Sequence, residues 1–477
     1  MKPLLPIKQG SFRDPDGYCW SDGDRIFRYI WPHATSHFLD FHRSDFFRAL
    51  EASNRISVTQ VDSLAAKESQ QKYCFDCAKI GGVYLEHKKI FFPSYAHEWC
   101  PSMLYEAGHF TLSLQLDALN SGYWLKDASI SNLLFENSGP VFVDLLSFSK
   151  LNLAETVWLA QAQFIRNFVL PLLLYKYNKV DPRYVYFDRR DGLNPEYVFG
   201  RLNIFQKCFP SSLRFVTFPV LLGLLSKSKE ATQTIPGSNL EEAKYIRNYL
   251  HKNLVRAYDS LAPRRIFESM WLSYAKNHSY DEESFAKKEL FVYQALLELC
   301  PESVLDVGCN TGYFSRIAAR LGAKVVGIDS DSPAIDEAWR LNRLEVSKIL
   351  PLVVDFARPT PALGWRNGEQ QSFTERSYKR FDCVLLLAVV HHLTLVEGVS
   401  FLAIFEVVSR CTVKGVIVEY IPPNDSMMKG LLTNREHLLP AISQDRFEEA
   451  FGHWFTVIRK SRLGNSLRWL YFLKLKS

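Results

Sequence analysis

The C-terminal part of the chain alternates short apolar runs with amphipathic stretches. The runs "SVLDVG", "KVVGID", "LPLVVDF", "FDCVLLLAV" and "VKGVIVEYI" are separated by segments of helical periodicity. Such runs are typical of strands in a parallel sheet that helices cover on both faces. The last two runs, "FTVIRKSRL" and "LRWLYFLKLK", lie so close together that they predict a hairpin. We therefore expect an α/β fold with a doubly wound, mostly parallel seven-stranded sheet.

The first half of the chain has a different pattern. Up to about residue 92 it predicts short strands and turns, with "GGVYLEHKKIFF" as a hairpin-like pair, followed by a helix over about 96–121. The runs "FVLPLLLYKY" and "FVTFPVLLGLL" are interpreted as buried helices. The polar stretch "SKSKEATQTIPGSN" then marks a linker. The predicted division is an α+β domain over 1–226, a linker and helical bridge over 227–284, and an α/β domain over 285–477.

Composition narrows the class of protein. A chain of 477 residues with 47% hydrophobic residues is expected to form more than one globular core. The net charge of +6 is spread without a dense basic block, so specific nucleic-acid binding is not expected. The longest apolar runs are about half the ~20 residues that span a bilayer, so no membrane insertion is expected. Nothing in the sequence indicates an oligomeric state.

The cysteines indicate a reducing compartment. There are nine cysteines, an odd number, and they are scattered along the chain, which favours free thiols in a cytoplasmic protein. The N-terminus has no secretory signal pattern. One arrangement leaves two alternatives open. Cys74, Cys77, His97 and Cys100 could form a structural zinc site. Alternatively, His97 and Cys100 pack in an amphipathic helix.

Polar residues end each predicted strand of the C-terminal sheet. Ligands of open parallel sheets bind outside the carboxyl ends of the strands, so these residues are expected to face one crevice. The residues in question are Asp306, Asp329, Asp355, the pair His391 and His392, and Glu419. Four carboxylates in one crevice suit a ligand that carries positive charge.

The turn after the first strand narrows the choice of ligand. Its sequence runs from Asp306 through Gly308 and Asn310 to Gly312. An acid directly before the glycines would repel a pyrophosphate, but it suits an ammonium group beside a sulfonium. The pattern therefore favours S-adenosylmethionine over a dinucleotide, with Gly308 and Gly312 allowing a close backbone approach.

Two further strand ends are assigned to the nucleoside. Asp329 is placed to accept both ribose hydroxyls. Asp355 is placed to accept from the adenine amino group, and Phe356 is placed to cover the ring. If the acceptor is a neutral hydroxyl, a base is needed. His392 is the first candidate and Glu419 the second, with His391 beside them, although a positioning role is also open for each.

These motifs together resemble the class I S-adenosylmethionine-dependent methyltransferases. "LDVGCNTGYFS", "VVGIDSD", "VVDF" and "FDCVLLLAVVHHL" stand in that family's order, and the resemblance covers roughly 285–477. It implies a Rossmann-like fold and methyl transfer. Asn310 stands where many members have glycine. The segment "EYIPPNDSMMKGLLTNREHLLPAISQDRFEEAFGHWF" and the elements "FRDPDG", "EWC" and "LKDASISN" also resemble a bacterial subset grouped with nodulation-type proteins.

The stretch "LKDASISNLLFENSGPVFVDLLSF" resembles the aminoglycoside-phosphotransferase side of the kinase superfamily. The resemblance implies that Asp127 orients an accepting hydroxyl, and that Asn132 and Asp144 hold magnesium against nucleotide phosphates. Leu125 and Lys126 replace the usual His-Gly, and no glycine-rich loop or recognisable strand lysine precedes them. Three readings stay open: an active phosphotransferase, a degenerate domain that binds ATP, Mg²⁺ or the acceptor, and a structural loop in which Asp127 caps a turn.

The sequence as a whole predicts a methyltransferase that acts on a small molecule, such as a glycan or a secondary metabolite. The kinase-like domain is expected to aid acceptor or nucleotide binding. The alternative is a bifunctional or nucleotide-binding protein whose kinase-like domain performs phosphoryl transfer.

Overall fold

The structure is a computed structural model that describes residues 14–73, 81–137, 139–225, 239–264, 281–345, 348–433, 435–464 and 466–476. The chain divides into two compact units. The first comprises Met1–Arg264 and Ala362–Gln371, and the second comprises Arg265–Pro361 and Ser372–Ser477. The helix Leu240–Asp259 therefore belongs to the first unit, within the range predicted as linker and bridge.

The first unit begins with a four-stranded antiparallel sheet. Its strands are β1 (Gly17–Asp22), β2 (Arg25–Ile30), β3 (Thr59–Val61) and β4 (Val83–His87), in the spatial order β1-β2-β4-β3. Tyr18, Phe27, Tyr29 and Tyr84 pack together in its core. The predicted hairpin in "GGVYLEHKKIFF" is wrong, because only β4 forms there and it pairs with β2 and β3.

Helices, rather than only strands and turns, fill much of the segment between β2 and β4. Pro32 starts the helix Pro32–His42, and the Ser44 hydroxyl accepts a hydrogen bond from Phe47 N at the start of Asp45–Ala52. Phe46, Phe47 and Leu50 bury one face of the second helix. Proline at the first position and a serine cap are helix-start signals that outweigh the short turn patterns used for the prediction.

The rest of the first unit is mainly helical. The helix predicted over 96–121 begins only at Pro101, after a 3₁₀ turn at Ala96–Glu98. The short strands are β5 (Tyr123–Leu125), β6 (Leu133–Glu136), β7 (Gly139–Phe142) and β8 (Phe148–Lys150), paired as β5 with β8 and β6 with β7. The remaining helices of the unit are Leu64–Tyr73, Pro101–Asn120, Gln161–Phe164, Leu170–Asn178, Val185–Asp188, Pro195–Phe199, Ile204–Lys207, Pro210–Ser212, Phe218–Leu225 and Leu240–Asp259, with π-helical turns at Ile165–Val169 and Leu213–Thr217.

The two apolar runs predicted as buried helices differ in exposure. Leu170, Leu172, Leu173 and Leu174 are buried, as expected. In the second run, Phe215, Val216 and Val220 are buried but Phe218, Leu221, Leu222 and Leu224 are exposed, so the prediction of a buried helix is correct for one face and wrong for the other. No helix among the described residues is both long enough and apolar enough to cross a membrane.

The second unit confirms the predicted seven-stranded sheet. The strands are β9 (Ser303–Val307), β10 (Lys324–Asp329), β11 (Ile349–Val353), β12 (Phe381–Leu386), β13 (Thr412–Tyr420), β14 (Phe455–Arg462) and β15 (Trp469–Leu475). Their spatial order is β11-β10-β9-β12-β13-β15-β14. Strands β9 to β13 pair in parallel, and β15 is antiparallel to β13 and β14, as the predicted hairpin requires.

Helices supply the rest of the core. Phe291, Val292, Ala295 and Leu296 of the helix Glu282–Leu299, which precedes β9, pack with Val304 and Leu470 of the sheet. The helices of this unit are Glu282–Leu299, Tyr313–Arg320, Ser332–Glu345, Phe373–Ser377, Val390–Leu395, Phe401–Cys411, Ser426–Leu432 and Gln444–Gly452.

Candidate functional site

The turn between β9 and the helix Tyr313–Arg320 has a left-handed backbone. Gly308 has φ +70°, Asn310 has φ 50° and Gly312 has φ +78°. A Cβ atom on Gly308 would lie 3.1 Å from Cγ2 of Val389, in the loop after β12. Glycine at position 308 thus permits both the positive φ angle and the close approach of the two loops. Asn310 adopts the left-handed conformation that asparagine tolerates best among the larger residues.

Asp306 is a buried acid directly behind this turn. Its Oδ2 accepts a hydrogen bond of 2.6 Å from the Ser315 hydroxyl, and the residue is 3% exposed. Burial is the main cause that raises the pKa of Asp306 to about 6; the hydrogen bond from Ser315 opposes this rise, and the nearby Asp329 carboxylate adds to it. A buried carboxylate of this kind gains most from a ligand that brings positive charge.

Asp329 ends β10 beside the turn. Its Oδ2 accepts from Asn310 N and its Oδ1 accepts from Asp331 N, both at 2.9 Å. Burial raises the pKa of Asp329, although these backbone donors lower it in part. Each carboxylate oxygen has two lone pairs, so both oxygens retain capacity to accept another hydrogen bond.

Asp355 and Phe356 follow β11 and are half-buried. Asp355 Oδ1 accepts from Ala357 N at 2.9 Å, and its Oδ2 accepts from Arg358 Nε at 3.0 Å. Arg358 is an exposed side chain that also pairs with Glu397 at 3.1 Å. The Asp355 carboxylate is therefore held at the end of the strand by one backbone donor and one exposed arginine.

His391 and His392 lie on the helix Val390–Leu395, which begins four residues after β12 ends. Their rings are 4.2 Å apart between centroids. His391 is 7% exposed, and its Nδ1 has no hydrogen-bond partner among the described residues. Burial lowers the pKa of both rings, that of His391 well below its usual value, so both are neutral at pH 7.

Glu419 lies near the end of β13 and is fully buried. Its Oε2 pairs with Lys288 Nζ at 2.7 Å, and its Oε1 lies 3.8 Å from Arg468 Nη1. Arg468 also donates to both carboxylate oxygens of Asp425, at 2.8 and 3.1 Å. A carboxylate paired with two cations in the interior is suited to positioning its neighbours.

Sequence reasoning missed Lys288 and Arg468. A signal for Lys288 was present, because it lies on the same helix face as Phe291, Val292 and Ala295, which are three, four and seven residues further on. A lysine on an apolar stripe either extends its amine to solvent or finds a buried partner. Ser315, the partner of Asp306, was inside a quoted motif but was not singled out.

The polar residues of the kinase-like stretch form a network with β2. Asp144 Oδ1 pairs with Nη1 of the buried Arg28 at 2.7 Å, and its Oδ2 accepts from the Ser147 hydroxyl at 2.6 Å. Asn132 Nδ2 donates to the same hydroxyl at 3.2 Å. Burial alone would raise the pKa of Asp144, but Arg28 and Ser147 lower it below its usual value. Asn132 and Asp144 are thus brought together.

Asp127 is not part of this network. Its Oδ1 accepts from Ser129 N at 2.8 Å, which is the turn-capping geometry of one of the three readings. Among the described residues, no group of three or more His, Cys, Asp and Glu side chains is placed to hold a metal ion.

Cys74 and Cys77, half of the possible zinc site, lie outside the described residues. His97 stacks on Tyr95 and contacts Phe187, with ring centroids 5.7 and 4.8 Å apart. Cys100 is buried directly before the helix Pro101–Asn120. The zinc site stays a prediction.

A family model matches part of the chain that includes most of the second unit. Residues 253–459 match the methyltransferase domain family. The chain carries an S-adenosylmethionine-dependent methyltransferase domain. The nodulation protein NoeA of Rhizobium meliloti (strain 1021) is 29% identical to this chain over 467 residues, which are 97% of this chain and 94% of the relative. The methyltransferase predicted from the strand ends is therefore confirmed as the class of enzyme.

Solved methyltransferases resemble part of the chain. Magnesium protoporphyrin IX methyltransferase ChlM from Synechocystis PCC 6803, with bound S-adenosylhomocysteine, is 17% identical, and the match covers 47% of this chain and 99% of that one, with a TM-score of 0.33. The N-methyltransferase NodS from Bradyrhizobium japonicum WM9 is 12% identical, and the match covers 41% and 99% with a TM-score of 0.31.

Proposed function

We propose that this methyltransferase transfers the methyl group of S-adenosylmethionine to a small-molecule acceptor, such as a glycan or a secondary metabolite, which the first unit helps to bind. The observation that carries the proposal is the buried acid Asp306 directly behind a left-handed glycine turn, with Asp329 and His391 at the neighbouring strand ends. The absence of a dense basic block in the sequence supports a small molecule over nucleic acid.

The residues of the crevice fit this cofactor. Asp306 has a raised pKa and would gain from the ammonium and sulfonium charges, while Gly308 leaves the backbone open to close approach. Asp329 would accept from the ribose hydroxyls with its remaining lone pairs. Asp355 would accept from the adenine amino group, and Phe356 would cover the ring. When bound, S-adenosylmethionine supplies an electrophilic methyl group that needs only an aligned nucleophile.

We assign the role of base to His392. Its ring is half-buried and, because burial lowers its pKa, neutral at pH 7, so it can take a proton from an acceptor hydroxyl. His391 lies against it at 4.2 Å, and its Nδ1 has no protein partner among the described residues, which suits a hydrogen bond to the acceptor. Glu419, paired with Lys288, is given a positioning role.

His392→Ala is expected to slow methyl transfer by roughly 100-fold or more and leave cofactor affinity unchanged, because a general base contributes about 10²–10⁴-fold. The measurement is transfer of labelled methyl from the donor to molecules in extract of the source cells, with the product separated by size. Because burial lowers the pKa of His392, the wild-type rate should rise with pH and reach its plateau at a lower pH than an exposed histidine base would give.

The exposed His453→Ala provides a matched control and should behave as wild type. A rate unchanged by His392→Ala would contradict the role as base. Label that enters only macromolecules would contradict the small-molecule acceptor.

The role of the first unit is also a proposal. The likeness to NoeA spans both units, which supports a function to which both units contribute. The Asn132 and Asp144 network at the kinase-like stretch favours the second candidate, phosphoryl transfer with Mg²⁺ and ATP. Against it, Arg28 and Ser147 already engage both oxygens of Asp144, the carboxylate that would hold the metal. The geometry around Asp144 therefore favours a first unit that does not perform phosphoryl transfer.

Mg²⁺-dependent ADP formation from ATP separates the two candidates. We expect none from the wild-type chain with or without cell extract, since releasing Asp144 would leave the buried Arg28 with only the more distant carboxylate of Asp14, 3.6 Å from its Nη1. ADP formation by wild-type protein that Asp144→Ala abolishes would establish the second candidate instead. Exposed Asp188→Ala, in the same unit, is the control for that comparison.

A further inference from the structure

Six large apolar side chains on two short helices of the first unit face solvent. The helices are Ile204–Lys207 and Phe218–Leu225, and the side chains, which we call the apolar face, are those of Ile204, Phe205, Phe218, Leu221, Leu222 and Leu224. Ile204, Phe205 and Leu224 are 79%, 81% and 76% exposed. Single exposed apolar residues are common on protein surfaces, whereas a cluster of them marks a contact with another molecule or with a membrane.

The two helices of the apolar face are held next to each other. The hydroxyl of Thr217, directly before Phe218, donates a hydrogen bond of 2.8 Å to the carbonyl oxygen of Lys207, the last residue of the first helix. Val220 is buried, and Leu222 follows two residues later, so the two side chains point to opposite sides of the second helix. Turning this helix to bury Leu222 would expose Val220, so the apolar face cannot be covered by a local rotation.

The charged residues of this segment all have the same sign. Residues 197–225 include Arg201, Lys207 and Arg214 but no aspartate or glutamate. Arg201 and Arg214 donate to backbone carbonyl oxygens at 3.1 and 3.0 Å, and the Lys207 amine lies 3.9 Å from the centre of a phenylalanine ring. These contacts orient the three cations without pairing them with a carboxylate of the described residues. The apolar face is therefore accompanied by positive charge that is available to an anionic partner.

A lipid surface with negative charge matches both properties. Apolar side chains of a surface helix enter the boundary between headgroups and acyl chains, and each lysine or arginine nearby is attracted to anionic headgroups. A second copy of the chain matches less well. A two-fold contact through this face would bring Arg201 and Lys207 of both copies together, and the segment 197–225 supplies no acid to pair with them.

We propose that the apolar face attaches the protein to the surface of a membrane that contains anionic lipids. The six apolar side chains enter the headgroup region, and Arg201, Lys207 and Arg214 pair with the lipid headgroups. The two helices have four and eight residues, far fewer than the ~20 that span a bilayer, so the attachment is peripheral. It does not depend on the identity of the methyl acceptor.

Flotation of the full chain with lipid vesicles tests the proposal. One kind of vesicle is pure phosphatidylcholine, and the other is an equal mixture of phosphatidylcholine and phosphatidylglycerol. We expect the chain to bind the mixed vesicles at about 0.1 M salt, and to bind the neutral vesicles at least about tenfold more weakly. Binding to the mixed vesicles should weaken at about 1 M salt, because the screening length then falls from about 10 Å to about 3 Å.

A double variant assigns the binding to the apolar face. Phe205→Ser combined with Leu222→Ser should weaken binding to the mixed vesicles by at least about tenfold, because two side chains no longer bury apolar surface in the lipid. The matched control, Val58→Ser combined with Leu64→Ser, removes two exposed apolar side chains on either side of β3 and should bind as wild type. Circular dichroism shows whether each variant is folded.

If the Phe205 and Leu222 double variant does not fold, Arg201→Gln combined with Lys207→Gln takes its place and should also weaken binding by at least about tenfold. No binding of wild-type protein to either vesicle, equal binding to both, or wild-type binding by the folded variant would overturn the proposal. Light scattering detects the alternative occupant. A dimer that does not bind vesicles, and that the double variant dissociates, would assign the apolar face to a second copy of the chain.

Discussion

Asp329→Ala is expected to weaken S-adenosylmethionine binding roughly 100-fold. The proposed role of Asp329 is to accept from two ribose hydroxyls, and a hydrogen bond to a charged group contributes about 1.5–3 kcal/mol. The loss of two such bonds is therefore about 3 kcal/mol or more, at about 1.4 kcal/mol for each tenfold change. Calorimetric titration of the cofactor into the full chain gives the dissociation constant directly.

A matched control separates this effect from a general loss of charge. Asp445 is an exposed aspartate in the first turn of Gln444–Gly452, and Asp445→Ala should bind the cofactor as wild type. Because Asp329 also accepts from Asn310 N and Asp331 N, thermal unfolding of each variant is measured alongside. A folded Asp329→Ala that binds with wild-type affinity would remove Asp329 from the site.

Lys288→Met is expected to lower the free energy of unfolding of the second unit by about 3 kcal/mol. The substitution keeps the length of the side chain but leaves Glu419 buried, with Arg468 3.8 Å away and also bound to Asp425. Removing one partner of a buried ion pair costs about 3–5 kcal/mol. We expect a loss at the lower end of that range because Arg468 still provides a positive charge near Glu419. Denaturant unfolding followed by circular dichroism measures the change.

The neighbouring lysine provides the control. Lys287 is exposed and pairs with Glu283 on the helix surface, so Lys287→Met should change stability by no more than about 0.5 kcal/mol. Lys288→Met combined with Glu419→Gln should recover part of the loss, because the unpaired charge is removed. Equal stability of the two lysine variants would mean that the buried pair contributes little.

The strands of the second unit and their positions along the chain could be predicted because the information for each strand is local. Each apolar run is one strand, and the carboxyl ends of the parallel strands lie at the same edge of the sheet. Asp306, Asp329 and Gly308 were chosen as candidate site residues in this way. Lys288 and Glu419 meet across 131 positions of sequence, and no local pattern specifies such a pair.

The first unit was harder to predict because its important side-chain contacts join residues that are far apart in the sequence. The pairing of Arg28 with Asp144 spans 116 positions, so the partner of Asp144 could not be seen in "VFVDLLSF". The exposure of Phe218 and Leu222 could not be predicted either. An apolar run indicates that burial is favourable, but it does not show which other part of the protein covers each side chain. Pro32 and Ser44, in contrast, are helix-start signals that the sequence contains. They were overlooked because the neighbouring turn patterns led to a prediction of short strands and turns.

The most direct test of the central claim is titration of S-adenosylmethionine into the wild-type full chain. We predict saturable binding at one site per chain, competed by S-adenosylhomocysteine and weakened by Asp329→Ala but not by Asp445→Ala. Absence of saturable binding by the folded chain would contradict the account of the crevice.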